Sequence, residues 1–184
     1  MASPSDATAD ERMLVRAAKG GSQEAFADLV RMHQRRAYTV ARAIVLSHED
    51  AEDAVQEGFL HAYRALDRFI PDQPFGAWLN RIVSNAALDL VRRRKVREAE
   101  PLLPDAVALP FRDPSESDEL RTRLGKAIQR LTPRQRAVIV MHDVEGFTHG
   151  EIGVTLGIPE GTARSDLHHA RAALRRLLQD LKAH

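Results

Sequence analysis

The side chains with most to offer a ligand crowd into one short stretch: Thr162, Arg164, Ser165, His168, His169 and Arg171. On a helix they fall opposite an apolar stripe of Ala163, Leu167, Ala170, Leu174 and Leu177. Hydroxyls, imidazoles and guanidiniums in the first turns of a helix can reach base edges, and later ones can meet phosphate. The same groups are poorly arranged for catalysis. His168 and His169 project about 100° apart on a helix and make a poor chelating pair. The chain has no cysteine, which removes thiolate nucleophiles, thiolate metal sites and disulfides. It also has no Gly-rich phosphate loop and no HExxH pattern. The expectation is a non-enzymatic chain with no cofactor and no metal.

The elements that position this stretch read as a helix-turn-helix over 148–178. Thr148-His149-Gly150-Glu151 is a capping box that opens a short helix with Ile152 and Leu156 inward. Gly157 suits a C′ position, and Ile158-Pro159-Glu160-Gly161 forms the turn into the second helix. A plain helical hairpin with a solvated face fits the same pattern. Upstream, Leu120, Leu124, Ile128 and Leu131 predict a further helix. Thr132-Pro133-Arg134-Gln135 then caps another that carries Ala137, Val138, Val140, Met141 and Val144 and ends near Gly146.

The N-terminal half is also helical in pattern, after nine small polar residues expected to be disordered. Phe26, Leu29, Val30, His33, Ala37, Val40, Ala41 and Ile44 predict a long amphipathic helix. Ser47 offers an N-cap, and Glu49, Asp50, Glu52 and Asp53 suit the positive end of the next helix, which buries Ala51, Ala54, Val55, Phe59, Ala62 and Leu66. After Pro71 and Pro74 a helix from about Phe75 to Arg97 turns Leu79, Ile82, Val83, Ala86 and Leu90 inward. Between the halves lie Pro101, Pro104, Pro110 and Pro114 among acidic residues, which read as an extended tether. The fold class expected is therefore all-α: two small helical domains, 10–97 and 120–184, joined by a flexible acidic linker over 98–119.

Charge follows the same division. Residues 1–97 carry 15 basic and 13 acidic side chains, 98–119 carry one and seven, and 120–184 carry 11 and six. The net values, +2, −6 and +5, sum to the overall +1. A chain that bound duplex DNA alone through bulk charge would usually be more basic, so weak autonomous affinity is expected. No run approaches the ~18 apolar residues of a membrane span, and the N-terminus is unlike a secretory signal, so a cytoplasmic protein without membrane insertion is expected.

At this point a resemblance becomes specific. LTPRQRAVIVMHDVEGFTHGEIGVTLGIPEGTARSDLHHARAALRRLL resembles the C-terminal domain of sigma-70-family factors, which reads the upstream (−35) promoter element. HEDAEDAVQEGFLHAYRALDRF and PFGAWLNRIVSNAALDLVRRRK resemble the family's polymerase-binding and downstream (−10) element domain. With no domain between the two, the chain is similar to the compact extracytoplasmic-function (ECF) group. The resemblance implies core RNA polymerase (its β′ coiled coil and β flap), promoter DNA and an anti-sigma factor as partners. It assigns Asp53, Gln56 and Glu57, one helix face, to the β′ coiled coil. Phe59 belongs either to that face or to the core. It assigns Asn80, Arg81, Ser84, Asn85, Arg92 and Arg93, with the loop from about Asp67 to Pro74, to the −10 element. Amides and guanidiniums suit a base taken out of the stack. Thr162, Arg164, Ser165, His168, His169 and Arg171 fall to the −35 element. The acidic linker is either a soluble tether or an occupant of the RNA exit path, and Trp78 reads as a core anchor.

Six Phe, two Tyr and one Trp leave few stacking platforms, which implies modest melting power. The sequence also departs from the family pattern. Asp166 stands where a second basic residue is usual, His169 where Arg is common, and Gly153 where Ala is commoner, at about 1 kcal/mol of helix propensity. A conventional helix-turn-helix regulator would share the C-terminal pattern, but leaves DAVQEGF and AWLNRIVSNAALD without a purpose.

Overall fold

The computed structural model describes residues 4–70, 73–97 and 117–180, all of whose regular structure is helical. Helix α1 (Pro4–Lys19) starts earlier than the polar N-terminus suggests, with Pro4 in its first turn, where a missing N–H costs nothing. Helix α2 (Gln23–Val45) is capped by Ser22, whose hydroxyl accepts from Ala25 N–H. Ser47 caps α3 (His48–Ala65) in the same way through Asp50 N–H. A short 3-10 turn (Leu66–Arg68) leads toward α4 (Phe75–Arg97). These four helices pack as a bundle in which Gly58 of α3 meets α4. A Cβ there would stand 2.5 Å from the Val83 side chain and 3.1 Å from its Cα.

The tether expected over 98–119 lies outside the described residues except for 117–119, which already belong to α5 (Ser117–Gln129). The capping box of Thr132 and Gln135 opens α6 (Pro133–Ile139). This helix does not run on to Gly146 as a regular helix. Val140–Val144 widen into a π turn, closed by Glu145 N–H on Val140 C=O (3.0 Å), and Phe147 N–H then returns to Met141 C=O (2.8 Å). The second capping box, Thr148 with Glu151, opens α7 (His149–Leu156). Gly157 ends it with φ +67, a conformation that favours glycine, and α8 (Glu160–Asp180) follows.

The two helical halves are not held apart. Helix α2 packs on α6, α4 packs on α7, and one continuous apolar core runs from Val15 through Ile44 and Val83 to Val138, Ile152 and Ala170. A sequence divided by four prolines and a charge reversal suggested separate cores; burial of shared apolar surface is what joins them.

Candidate nucleic-acid interface

Helix α8 presents the arrangement that the sequence implies. Ala163, Leu167 and Ala170 are buried, while Arg164, Ser165, His168, His169 and Arg171 are exposed and Thr162 is half-buried at the start. Several of these groups are held by neighbours. Arg164 pairs with Glu160 one turn earlier (2.9 Å), and Ser165 Oγ lies 3.4 Å from His169 Nδ1. Arg171 Nε donates to Asp143 Oδ2 at 3.1 Å, and its Nη2 to Oδ1. The Arg171 guanidinium holds the Asp143 carboxyl below its ordinary range and is itself raised in return. The π turn matters here, because it carries Asp143 and His142, whose ring packs 4.9 Å from that of His149.

The unusual carboxylate on this face, Asp166, is answered by a residue that sequence reasoning passed over. Arg134 of α6 reaches it with Nε at 2.7 Å and Nη2 at 2.5 Å. Asp166 is thus neutralised by a guanidinium from another helix, while its neighbour Arg164 turns to Glu160. Nothing in the spacing of residues 32 apart signals this pairing.

Gly153 receives a different explanation from the structure. A Cβ at this position would sit 2.7 Å from the Ile158 carbonyl oxygen and 3.4 Å from Glu160 N, both backbone atoms of the turn. The helix-propensity cost of glycine is therefore exchanged for a closer approach of turn to helix. Gly153→Ala should destabilise the C-terminal half by roughly 1–3 kcal/mol rather than stabilise it, since overpacking outweighs propensity. Thermal denaturation followed by circular dichroism measures this, and a raised midpoint would contradict it.

On α4 the structure divides the expected set. Arg81, Asn85, Arg92 and Arg93 are exposed, Arg92 being paired with Asp89 at 2.6 Å. Asn80 and Ser84 are fully buried, against the expectation that they share the exposed face. The reason is the packing of α4 against α2, α3 and α7 at once, which buries a wider arc than its apolar stripe. Asn80 Nδ2 donates to Gly76 C=O one turn back (2.7 Å). Trp78 is half-buried, 4.8 Å from the Phe69 ring and 5.5 Å from that of Phe75, as a core anchor should be.

The segment before α4 is pinned from α1, outside the motifs that drew attention. Lys19 Nζ donates to the carbonyls of Asp67 (3.0 Å) and Phe69 (2.6 Å), and Glu11 reaches His33 Nε2 at 2.7 Å. The His33 ring in turn packs 5.5 Å from Phe75, the first residue of α4. Together these contacts fix where α4 begins.

Asp53 and Gln56 are exposed on α3, Glu57 is half-buried, and Phe59 is buried at 8% exposure. Phe59 therefore belongs to the core, though it also floors an open groove of about 500 Å³ between α2 and α3, with Phe26, Val30, Gln56, Leu60 and Tyr63 along it. Leu60 and Tyr63 remain about half exposed, so the groove is an open apolar channel with the amide of Gln56 on its lining. Sequence periodicity placed Phe26 and Val30 in the apolar pattern of a long amphipathic helix. Among the described residues no group of His, Asp or Glu side chains could hold a metal ion, and no helix is long and apolar enough to cross a membrane.

Comparison with known proteins finds two family matches along the chain. Residues 29–97 match the family "Sigma-70 region 2", and residues 121–174 match "Sigma-70, region 4". The chain is similar to the ECF RNA polymerase sigma factor SigM of Mycobacterium tuberculosis, 38% identical over 165 residues, covering 90% of this chain and 83% of that one. It is 39% identical over 153 residues to the ECF RNA polymerase sigma factor SigE of Mycolicibacterium smegmatis, covering 80% of this chain and 59% of that longer relative. Among solved structures, CnrH in complex with the cytosolic domain of CnrY matches with a TM-score of 0.71 at 31% identity, over 93% of this chain and 98% of that one.

Proposed function

Since the chain belongs to the ECF group of the sigma-70 family, we propose that it binds core RNA polymerase in the cytoplasm and directs it to promoters without catalysing a reaction itself. The observation that carries this reading is that both matched regions fold as helical units and each leaves a polar face outward. Arg81, Asn85, Arg92 and Arg93 face solvent on α4, and Arg164, Ser165, His168, His169 and Arg171 on α8.

Each face suits its task. Guanidinium and amide groups on α4 can hold the displaced strand of the −10 element, with Arg92 and Arg93 supplying backbone charge. Asn80 and Ser84 shape the helix from within rather than touch DNA. The exposed turns of α8, starting near Thr162, enter the major groove at the −35 element, and Arg134 joins them as a charge held in place by Asp166. The polar face of Asp53, Gln56 and Glu57 carries two carboxylates and shares Gln56 with the apolar groove of Phe26, Leu60 and Tyr63, which fits a helical partner that is apolar on one side and basic at its edge. The polymerase β′ coiled coil is the partner assigned there, with the β flap on the C-terminal half. An anti-sigma factor is proposed as the regulator, supported by the similarity of this chain to CnrH, which was solved in complex with the cytosolic domain of CnrY.

Gel filtration with core polymerase tests the reading. A stoichiometric complex that then retains promoter fragments, with little duplex binding by the free chain, is expected. Tight duplex binding without polymerase and no complex with it would favour a conventional regulator.

A further inference from the structure

Asp166 is a carboxylate on an otherwise polar and basic reading face, and its two oxygens are used unequally. Arg134 Nε donates to Oδ2 at 2.7 Å, and Nη2 stands 2.5 Å from the same oxygen. Oδ1 is left as a free acceptor among the described residues.

The place of this oxygen on α8 is specific. At about 100° per residue, Thr162, Asp166 and His169 lie within about 60° of one another. Arg164 and Arg171 fall on the opposite flank, each tied to its own carboxylate, Glu160 and Asp143. Asp166 closes the second turn of α8, in the part of a recognition helix that reaches base edges. Its short side chain is 23% exposed and is gripped from α6, so the free oxygen is held in one orientation. Glu160, at the start of the helix, is 58% exposed and meets an arginine of its own helix, which gives it no such hold.

As a staple between α6 and α8 the Arg134–Asp166 pair contributes little, because side chains 48% and 23% exposed remain well solvated. Its effect beside DNA is larger. A bare carboxylate is repelled by phosphate, whereas the guanidinium of Arg134 cancels that charge at contact distance. What remains is an acceptor that cannot donate. In the major groove guanine offers the acceptors O6 and N7, thymine the acceptor O4, and adenine a donor at N6 flanked by the acceptor N7. Cytosine alone offers a donor, its N4 amino group, with no acceptor beside it.

We propose that Asp166 is a specificity-determining residue that selects cytosine at one position of the −35 element through its free oxygen. Arg134 is the positioning residue that orients this carboxylate and makes it tolerable beside phosphate. The inference rests on the sigma-factor reading and adds to it the base that this part of the face selects.

The test uses holoenzyme assembled from core RNA polymerase and the full chain. It is bound to duplexes randomised over the upstream element of a promoter from which it initiates, and the retained duplexes are sequenced. Wild-type holoenzyme should favour cytosine on one strand by roughly tenfold at one position of the upstream motif. Asp166→Asn keeps the shape but adds a donor, and an amide pairs with N6 and N7 of adenine. The preference at that position alone should therefore move to adenine on the same strand. Asp166→Ala should flatten that position. By releasing Arg134 to a phosphate, it should also raise affinity for duplexes that lack the cytosine and steepen the slope of log affinity against log salt by about 0.9. Loss of a mere staple would instead lower affinity and leave the motif unchanged. Arg134→Met leaves the carboxylate bare and should weaken binding to all duplexes by about fivefold or more, with the cytosine preference retained. An upstream motif identical in wild type, Asp166→Asn and Asp166→Ala would overturn the assignment. So would a wild-type preference for another base at the position that responds to Asp166→Asn. A chain that forms no holoenzyme would instead overturn the functional reading, and the assignment with it.

Discussion

Phe75→Ala should cost roughly 3–5 kcal/mol of folding stability, the range for removing a fully buried phenyl ring. Phe75 is the first residue of α4 and is 1% exposed, with Phe69, Trp78 and His33 around it at centroid distances of 5.5 Å each. These neighbours come from three separate parts of the chain, so the cavity cannot close by a single side-chain shift. For a domain of this size the loss corresponds to a fall of about 6–20 °C in Tm. Urea unfolding should show a lower midpoint with an unchanged slope. The variant should also lose −10 strand binding before it loses helix content, because the ring fixes the start of the helix that carries Arg81 and Asn85. A stability loss below about 1 kcal/mol would show that this aromatic cluster is not the anchor described.

Replacing Asp53 and Gln56 together with alanine should weaken binding to core polymerase by roughly 10–100-fold, the equivalent of one or two interface hot spots at about 1.4 kcal/mol per decade. Both side chains are exposed and neither makes a packing contact that the fold requires, so Tm should move by little. Gln56 also lines the apolar groove, and that is why the pair is expected to act together rather than additively. Titration of labelled protein with core polymerase measures the affinity directly. An unchanged affinity with an unchanged Tm would move the docking surface elsewhere on the molecule.

Much of the local architecture was legible because its determinants lie within a few residues of one another. The two capping boxes at Thr132 and Thr148, the Ser47 cap and the left-handed Gly157 are each decided by contacts three or four positions apart, and all are present. The apolar stripe of α8 and its polar face follow from periodicity in the same way. What the sequence hid are the contacts between distant segments. Arg136 reads as one more basic residue in a capping-box helix, yet it reaches carbonyls 92 and 93 residues away. Asp166 looks like a fault in a DNA-binding face until Arg134 is beside it. Asn80 and Ser84 have the types of ligand-binding residues, but packing of α4 by three helices puts them inside. The π turn at Val140–Val144 has no composition signal, and it is what brings Asp143 to Arg171. Periodicity reports which face of a helix is apolar and is blind to how many neighbours the helix will have.

The central claim is most directly tested by adding the purified protein to core RNA polymerase and sequencing run-off transcripts from a fragmented library of its host genome. The account predicts initiation clustered behind one two-part promoter motif, absent with core polymerase alone and much reduced when Asp53 and Gln56 are alanine. Transcription that stays at the level of core polymerase, with a free chain that binds duplex DNA by itself, would contradict it.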